Sequence, residues 1–290
     1  MIISASRRTD IPAFYSDWFM NRIKEGFVLV RNPFNAKQIS RISLDPAVVD
    51  CIVFWTKDPS RMLDKLTDLD ESKYNYLFQF TLTPYGKEIE PNLPEKNEVA
   101  ATFVKLSEKI GKDRVVWRYD PILITDSIDR DFHYRSFERL AKTLAGHTDT
   151  CIISFLDFYA KCRKRLDRLK AREMSGEDIR AMAEIFAAIS RSCGLKLETC
   201  AEEIDLSHLG IEHGKCIDAG RISRIIGRPL AAKKDRSQRE CCGCVASVDI
   251  GAYDTCPHNC LYCYASHGSD AVSTKMALHD KESPFLSGVE

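Results

Sequence analysis

Three cysteines stand close together near the end of the chain, in the run Cys256-Pro-His-Asn-Cys260-Leu-Tyr-Cys263. Thiolates at this C-x3-C-x2-C spacing can wrap three corners of an iron–sulfur cubane. Such clusters ordinarily take four cysteines, so a three-cysteine loop leaves one iron for an outside ligand. A zinc loop is the other use of closely spaced thiolates. A second group draws on separate stretches: Cys200, Cys216 and Cys242-Gly-Cys244. Four thiolates close an all-cysteine site, for zinc or for a second 4Fe-4S cluster. Gly243 lets the backbone turn tightly between two ligands, and Cys241 is an alternative to Cys242. The chain holds 12 cysteines, six of them between Cys241 and Cys263. A chain of this size in a reducing compartment folds without disulfides, so the crowding reads as metal-binding or catalytic chemistry. Cys51, Cys151, Cys162 and Cys193 fall in strand or helix patterns and read as core packing.

The elements that must position these groups are legible as apolar runs. IISAS from Ile2, FVLV from Phe27, CIVFW from Cys51, YLFQFTL from Tyr76, VVWRY from Val115, CIISFL from Cys151 and LKLET from Leu195 read as strands. Continuous apolarity over a few residues suits strands buried on both faces of a parallel sheet. Lys215–Ile217 is the candidate eighth. Amphipathic stretches lie between them at Ser60–Leu69, Val99–Ile110 and Ser175–Ser192, the last opening on the capping pattern Ser175-Gly-Glu-Asp178. This rhythm predicts an α/β fold, a TIM-type (β/α) barrel that is complete or irregular. Residues 1–227 form the barrel, and a Cys-rich segment at 228–290 packs over its mouth as the cluster-binding part.

Catalytic groups of such a barrel project from strand ends, and here those ends are polar. Arg7, Arg8 and Asp10 follow the first, Arg31 and Asn32 the second, and Thr56, Lys57 and Asp58 the third. Thr81 and Thr83 end the fourth, Arg118 and Asp120 the fifth, Asp157 follows the sixth, and Glu198 is near the end of the seventh. Arginines hold carboxylate or phosphate by paired hydrogen bonds, and aspartates act as acid or base or contact a ribose. Asp10, Lys57, Arg118 and Asp120 are the catalytic candidates, and Arg7 and Arg8 are cofactor-binding candidates. Asp58, before Pro59, reads as a helix cap, and His258 as exposed.

Composition narrows the function class. The chain has 290 residues, 44% hydrophobic and 29% charged, which suits one large or two small globular domains and excludes a disordered chain. Lys+Arg 42 against Asp+Glu 42 gives no net charge, hence no global grip on nucleic acid or an anionic surface. Local basic runs at Arg163–Arg172 and Arg221–Arg239 leave a nucleic-acid path open. No apolar run reaches the roughly 18 residues that span a bilayer, so no membrane partner is expected. The N-terminus turns polar and basic early, unlike a secretory signal, and the expected compartment is the cytoplasm.

The three-cysteine loop, with aromatic Tyr262 just before its last cysteine, resembles the signature of radical S-adenosylmethionine (SAM) enzymes. The run Cys-Leu-Tyr-Cys-Tyr264-Ala is similar to the cluster loop of spore photoproduct lyase-type proteins. The resemblance implies a 4Fe-4S cluster on Cys256, Cys260 and Cys263, with Tyr262 beside the cofactor and SAM on the open iron. The reduced cluster of that superfamily cleaves SAM to a 5′-deoxyadenosyl radical. It also implies an electron donor such as flavodoxin or ferredoxin, and a small-molecule, nucleotide or nucleic-acid substrate.

The wider sequence resembles a bacterial family of unknown function with such a cluster at its C-terminus. Ser4-Ala-Ser-Arg-Arg-Thr-Asp10-Ile-Pro12, Phe54-Trp-Thr-Lys-Asp58, Trp117-Arg-Tyr-Asp-Pro121, Gln238-Arg239, Cys242-Gly-Cys244 and Asp249-Ile-Gly-Ala-Tyr253 carry that likeness. Two other functions fit the residues. One is an electron-transfer or binding protein that never cleaves SAM, and the other a zinc-stapled barrel enzyme.

Overall fold

The structure, a computed structural model, describes residues 1–288. Its strands are β1 (Ile2–Ala5), β2 (Phe27–Asn32), β3 (Asn35–Ser43), β4 (Cys51–Thr56), β5 (Tyr76–Thr81), β6 (Val115–Ile122), β7 (Thr150–Phe155), β8 (Lys196–Thr199), β9 (Glu212–His213) and β10 (Val248–Asp249). The helices are α1 (Ile11–Phe14), α2 (Ser16–Glu25), α3 (Leu66–Glu71), α4 (Lys96–Ile110), α5 (Arg130–Leu144), α6 (Arg163–Arg168), α7 (Gly176–Ser192), α8 (Ala219–Ile226) and α9 (Ser269–Met276).

Eight strands form one sheet in the order β10-β1-β4-β5-β6-β7-β8-β9, and every pairing in it is parallel. The apolar runs explain why. In each central strand alternate side chains leave on opposite faces, and both faces are buried. Ile3, Ile52, Phe54, Phe78, Trp117, Ile153 and Leu197 join one core with Phe19, Leu66, Phe103, Phe137 and Phe186 from α2, α3, α4, α5 and α7. Ile2, Cys51, Val53, Leu77, Val116 and Ile152 join a second core with Cys216, Ile217, Ile222, Cys242, Cys244 and Val245. The helices thus cover one face, and residues 216–245 cover the other.

This arrangement corrects the expected (β/α) barrel. Among the described residues no ladder joins β9 to β10, so the sheet is open rather than closed on itself. In a barrel the inner face is filled by side chains from opposing strands. Here the chain after β9 fills that space. The strand count is also corrected. FVLV from Phe27 forms β2, which pairs antiparallel with β3 in a separate two-stranded sheet. The expected strand at Lys215–Ile217 is displaced to Glu212–His213, while Ile217 packs into the second core.

Local signals act where the sequence places them. Ser175 Oγ accepts from the Asp178 amide at 3.1 Å to start α7, and Asp129 accepts from Phe132 N at 2.7 Å to start α5. Asp58 differs from the expected helix cap: Pro59 takes the cap position of the 3-10 turn Ser60–Lys65, and Asp58 Oδ1 accepts from Ser60 N at 3.1 Å just before it. The final residues return across the start of the chain. Trp18 Nε1 donates to Ser283 O at 2.9 Å, and Leu29 N donates to Pro284 O at 3.0 Å.

Candidate metal and substrate site

Parallel strands all end on one edge of a sheet, and open α/β folds place ligands beyond those carboxyl ends. The loops leaving that edge enclose a cavity of about 340 Å³. The catalytic, cofactor-binding and metal candidates line it. Arg7, Arg8 and Asp10 come from the end of β1, Lys57 from β4, Arg118 and Asp120 from β6, and Cys200 from β8. Cys216, Cys242, Cys244, Cys256, Cys260, Tyr262 and Cys263 come from the C-terminal part. Arg31 and Asn32 are not brought there. Arg31 sits in the β2–β3 hairpin, donating to Ala36 O and lying 5.1 Å from the Phe285 ring centroid.

The C-x3-C-x2-C loop is held from several sides. Arg165 donates to the carbonyls of Leu261, Cys263 and Ser266 at 2.7–2.9 Å. Leu261 N donates to Ile89 O at 3.0 Å, and Cys263 N to Cys260 O at 3.1 Å. Asn259 takes φ 54, a left-handed geometry that asparagine tolerates better than most residues. His258 is buried, correcting the expectation of exposure, and its Nε2 is 2.9 Å from Asp10 Oδ2. The same Asp10 oxygen accepts from Lys57 N at 2.7 Å, while Oδ1 accepts from Ala13 N at 3.0 Å and caps α1. The carboxylate of Asp10 thereby ties β1, β4 and the cysteine loop into one unit.

Asp249, in β10, ties the tail to the same corner. It accepts from Ser4 Oγ at 2.9 Å, Ser6 Oγ at 2.7 Å and Arg7 N at 2.8 Å. Gly251 follows closely, and a Cβ there would lie 2.6 Å from Ser6 Cβ, so only glycine fits this approach.

The strongest electrostatic feature is one that the sequence reading missed. Glu90 is 1% exposed. Its Oε1 accepts from Lys57 Nζ at 2.7 Å and Thr83 Oγ1 at 2.8 Å, and the carboxylate also meets Lys96 Nζ and Tyr262 OH. Burial opposes the charge of Glu90, but Lys57 and Lys96 outweigh it and hold the carboxyl at about 2. Burial opposes the ammonium of Lys57 too, and Glu90 and Cys260 outweigh it, so its pKa is raised. Burial pushes the thiols of Cys256, Cys260 and Cys263 up, while Lys57 pulls back on Cys260 and Arg165 and Lys57 on Cys263. Cations therefore stand where thiolates would carry negative charge.

A second charged unit sits on β6. The β6–β7 ladder breaks between Tyr119 and Ile122, and Asp120 and Pro121 lie in the break, where proline's missing N–H costs no ladder bond. Asp120 is engaged by Arg118 and Ser154, and burial, which raises its pKa, is outweighed by Arg118, which lowers it. Two guanidinium groups lie over the Trp55 ring, with Arg7 Cζ 5.0 Å and Arg118 Cζ 5.3 Å from its centroid. Arg7 Nη2 is buried and has no hydrogen-bond partner among the described residues. The basic runs serve the fold in part. Besides Arg165, Arg221 donates to Asp113 O at 2.8 Å and to Asp149 Oδ1 at 2.8 Å.

Among the described residues, no three His, Cys, Asp or Glu side chains converge as ligands of a single ion. A cubane cluster places each cysteine on a different iron, so its ligands stand apart. No helix among the described residues is long and apolar enough to cross a membrane. A family model described as a domain of unknown function, DUF1848, matches residues 2–265. Comparison with curated proteins finds no match.

Proposed function

We propose that this chain, which belongs to the DUF1848 family of domains of unknown function, is an iron–sulfur enzyme of the radical SAM type. The observation that carries this reading is the C-x3-C-x2-C loop, which shares one cavity with Lys57, Arg118 and Asp120. The donor set fits the group. Three thiols at cluster spacing stand near Lys57 and Arg165, whose charges counter part of the burial that pushes the thiols of Cys260 and Cys263 up. Cys256, Cys260 and Cys263 would hold a 4Fe-4S cluster, leaving one iron for the amino and carboxylate groups of SAM. The chemistry such a cluster supplies when bound is the one-electron reduction that cleaves SAM, with electrons from a flavodoxin- or ferredoxin-class donor.

The chain's own groups prepare the site. Asp10 and His258 fix the start of the loop, and Glu90 fixes Tyr262 and Lys57 at its end. Arg7 presents a buried, unpartnered Nη2 to a carboxylate or phosphate, and the Trp55 face beside it suits a planar partner. These groups favour an anionic substrate or cofactor moiety, a nucleotide being one that combines both features. Arg8, over the Tyr253 ring at 5.3 Å, extends the same rim.

The test uses anaerobically reconstituted protein, with dithionite as reductant. Adding SAM is expected to change the EPR spectrum of the reduced cluster, and methionine with 5′-deoxyadenosine is expected to accumulate. Cys260→Ala should abolish both while the far-UV circular dichroism stays native. Iron that is indifferent to SAM would replace this reading with electron transfer. Cleavage retained in Cys260→Ala would overturn the site assignment.

A further inference from the structure

Cys200 and Cys216 both line the cavity, and their sulfurs are in contact at 3.3 Å. The backbone arranges that contact. Cys200 directly follows β8, and its N–H donates to Ile153 O at 2.8 Å. Thr199 pairs with His213 in β9, and Gly214 N then donates to Thr199 O at 2.7 Å. A Cβ at Gly214 would lie 2.8 Å from Thr199 O, so only glycine lets the two stretches dock this closely. Gln79 Nε2 holds the Cys216 carbonyl at 2.7 Å from inside the sheet. Sulfurs in such contact do not stand on separate irons. Among the described residues no three His, Cys, Asp or Glu side chains converge on one ion either.

Core packing alone does not account for the pair. Cys200 is half-buried, whereas Cys216 is 4% exposed. Arg118, equally buried, places Nη1 2.7 Å from Cys216 Sγ, while Nη2 meets Asp120. A guanidinium brought out of water is costly unless negative charge matches it. Asp120 supplies one such charge, and negative charge gathering on Cys216 Sγ would be matched by Nη1. The neighbouring Cys244 is less available, being buried with its Sγ accepting from the Ile217 amide at 3.4 Å. The gap between Cys200 Sγ and Cys216 Sγ exceeds a disulfide bond by only about 1.3 Å. The arginines that line the cavity, Arg7, Arg8 and Arg239, favour a small disulfide that bears carboxylates.

We propose that Cys200 and Cys216 are a redox-active dithiol that exchanges an electron pair with a low-molecular-weight disulfide of the glutathione class. Cys200 Sγ, the more accessible sulfur, bonds to one sulfur of the small disulfide as its S–S bond breaks. The first small thiolate leaves, and it takes up a proton from solvent in place of the one Cys200 gives away. Cys216 Sγ then bonds to Cys200 Sγ and expels the second small thiolate, which likewise gains the proton that Cys216 loses. Two protein thiols are oxidised to one disulfide, and one small disulfide is reduced to two thiols. Arg118 is a positioning residue, holding Cys216 Sγ and stabilising negative charge as that sulfur attacks. Contact with Cys216 and burial hold the Cys200 thiol well above its ordinary value, with Arg118 pulling it down and Asp120 pushing it up. The first step therefore quickens as pH rises. The pair does not depend on SAM chemistry at the three-cysteine loop.

The test uses the full-length chain prepared anaerobically without added iron, so that no cluster takes part. The protein is equilibrated with mixtures of reduced and oxidised glutathione, quenched with acid, alkylated and mapped by mass spectrometry. Cys200 and Cys216 are expected to lose alkylation together in one two-electron transition, to appear as one linked pair of peptides, and to recover in reduced glutathione. The initial rate should rise as the pH is raised above neutral. Cys216→Ser should leave Cys200 as a mixed disulfide with glutathione. Arg118→Gln is expected to shift the exchange equilibrium about tenfold towards the protein disulfide, a midpoint about 30 mV lower. Full alkylation of Cys200 and Cys216 in excess oxidised glutathione would overturn the pair. So would a linkage that joins Cys242 to Cys244 instead, or a Cys216→Ser chain that forms no mixed disulfide. SAM cleavage is read on iron-loaded protein, so the two readings can fail separately.

Discussion

At the scale of single residues, Glu90 organises more of the site than any group its size. Three cationic or phenolic side chains and Thr83 converge on one carboxylate that is 1% exposed. Removing one partner of a buried ion pair strands the others, at a cost of about 3–5 kcal/mol. Glu90→Gln is therefore expected to lower unfolding stability by roughly 3 kcal/mol, read from urea midpoints at constant slope. A loss under about 1 kcal/mol would mean that Lys57 and Lys96 are solvated after all. Glu90 was illegible in the sequence for a physical reason. It lies in a polar loop, and Tyr262, its partner, is 172 residues away. His258 escaped in the same way, since its partner Asp10 is 248 residues distant. The cysteine loop was legible because all its chemistry lies within eight consecutive residues, Cys256 to Cys263. The polar strand ends were legible because each follows its own apolar run directly.

At the scale of elements, α5 is fastened to β6 by a buried histidine. His133 Nδ1 lies 2.8 Å from Tyr119 OH and Nε2 lies 2.9 Å from Leu123 O. Burial lowers its pKa from 6.5 to about 4, so the folded protein keeps it neutral where the unfolded chain protonates it. Stability is thus unaffected above pH 6.5 and is lost as pH falls from there towards about 4. At pH 4.5 this one group should cost about 2.5 kcal/mol relative to pH 7. Urea unfolding at both pH values should show that extra loss in the wild type and not in His133→Gln. Equal losses in the two proteins would assign the acid sensitivity elsewhere. The strands of the main sheet were readable as elements because burial on both faces leaves runs such as CIVFW without polar breaks. β3 was not, because most of its residues face solvent and its sequence, NAKQISRIS, carries little apolar pattern. Its partner β2 was therefore counted into the main sheet, which inflated the expected barrel.

At the scale of the whole molecule, the sheet has two apolar faces and only one is covered by crossover helices. The other depends on residues 216–245. A chain ending at residue 215 would expose Ile2, Val53, Leu77, Val116 and Ile152 to water. Such a chain is expected to bind anilinonaphthalene sulfonate and to unfold without a cooperative transition. A cooperative, dye-silent fragment would show that the first 215 residues hold together unaided.

The order of synthesis follows from the place of Asp249. The main strands pair in the order in which they leave the ribosome, β1, β4, β5, β6, β7 and then β8. The far edge, beside β1, waits for β10, and the corner formed by Ser4, Ser6 and Arg7 waits for Asp249. A nascent chain paused before that point has the charged walls of the cavity and none of the Cys256–Cys263 thiols. On the proposed reading, a cluster reaches that loop only after the strands that carry the cavity's charged groups have been made.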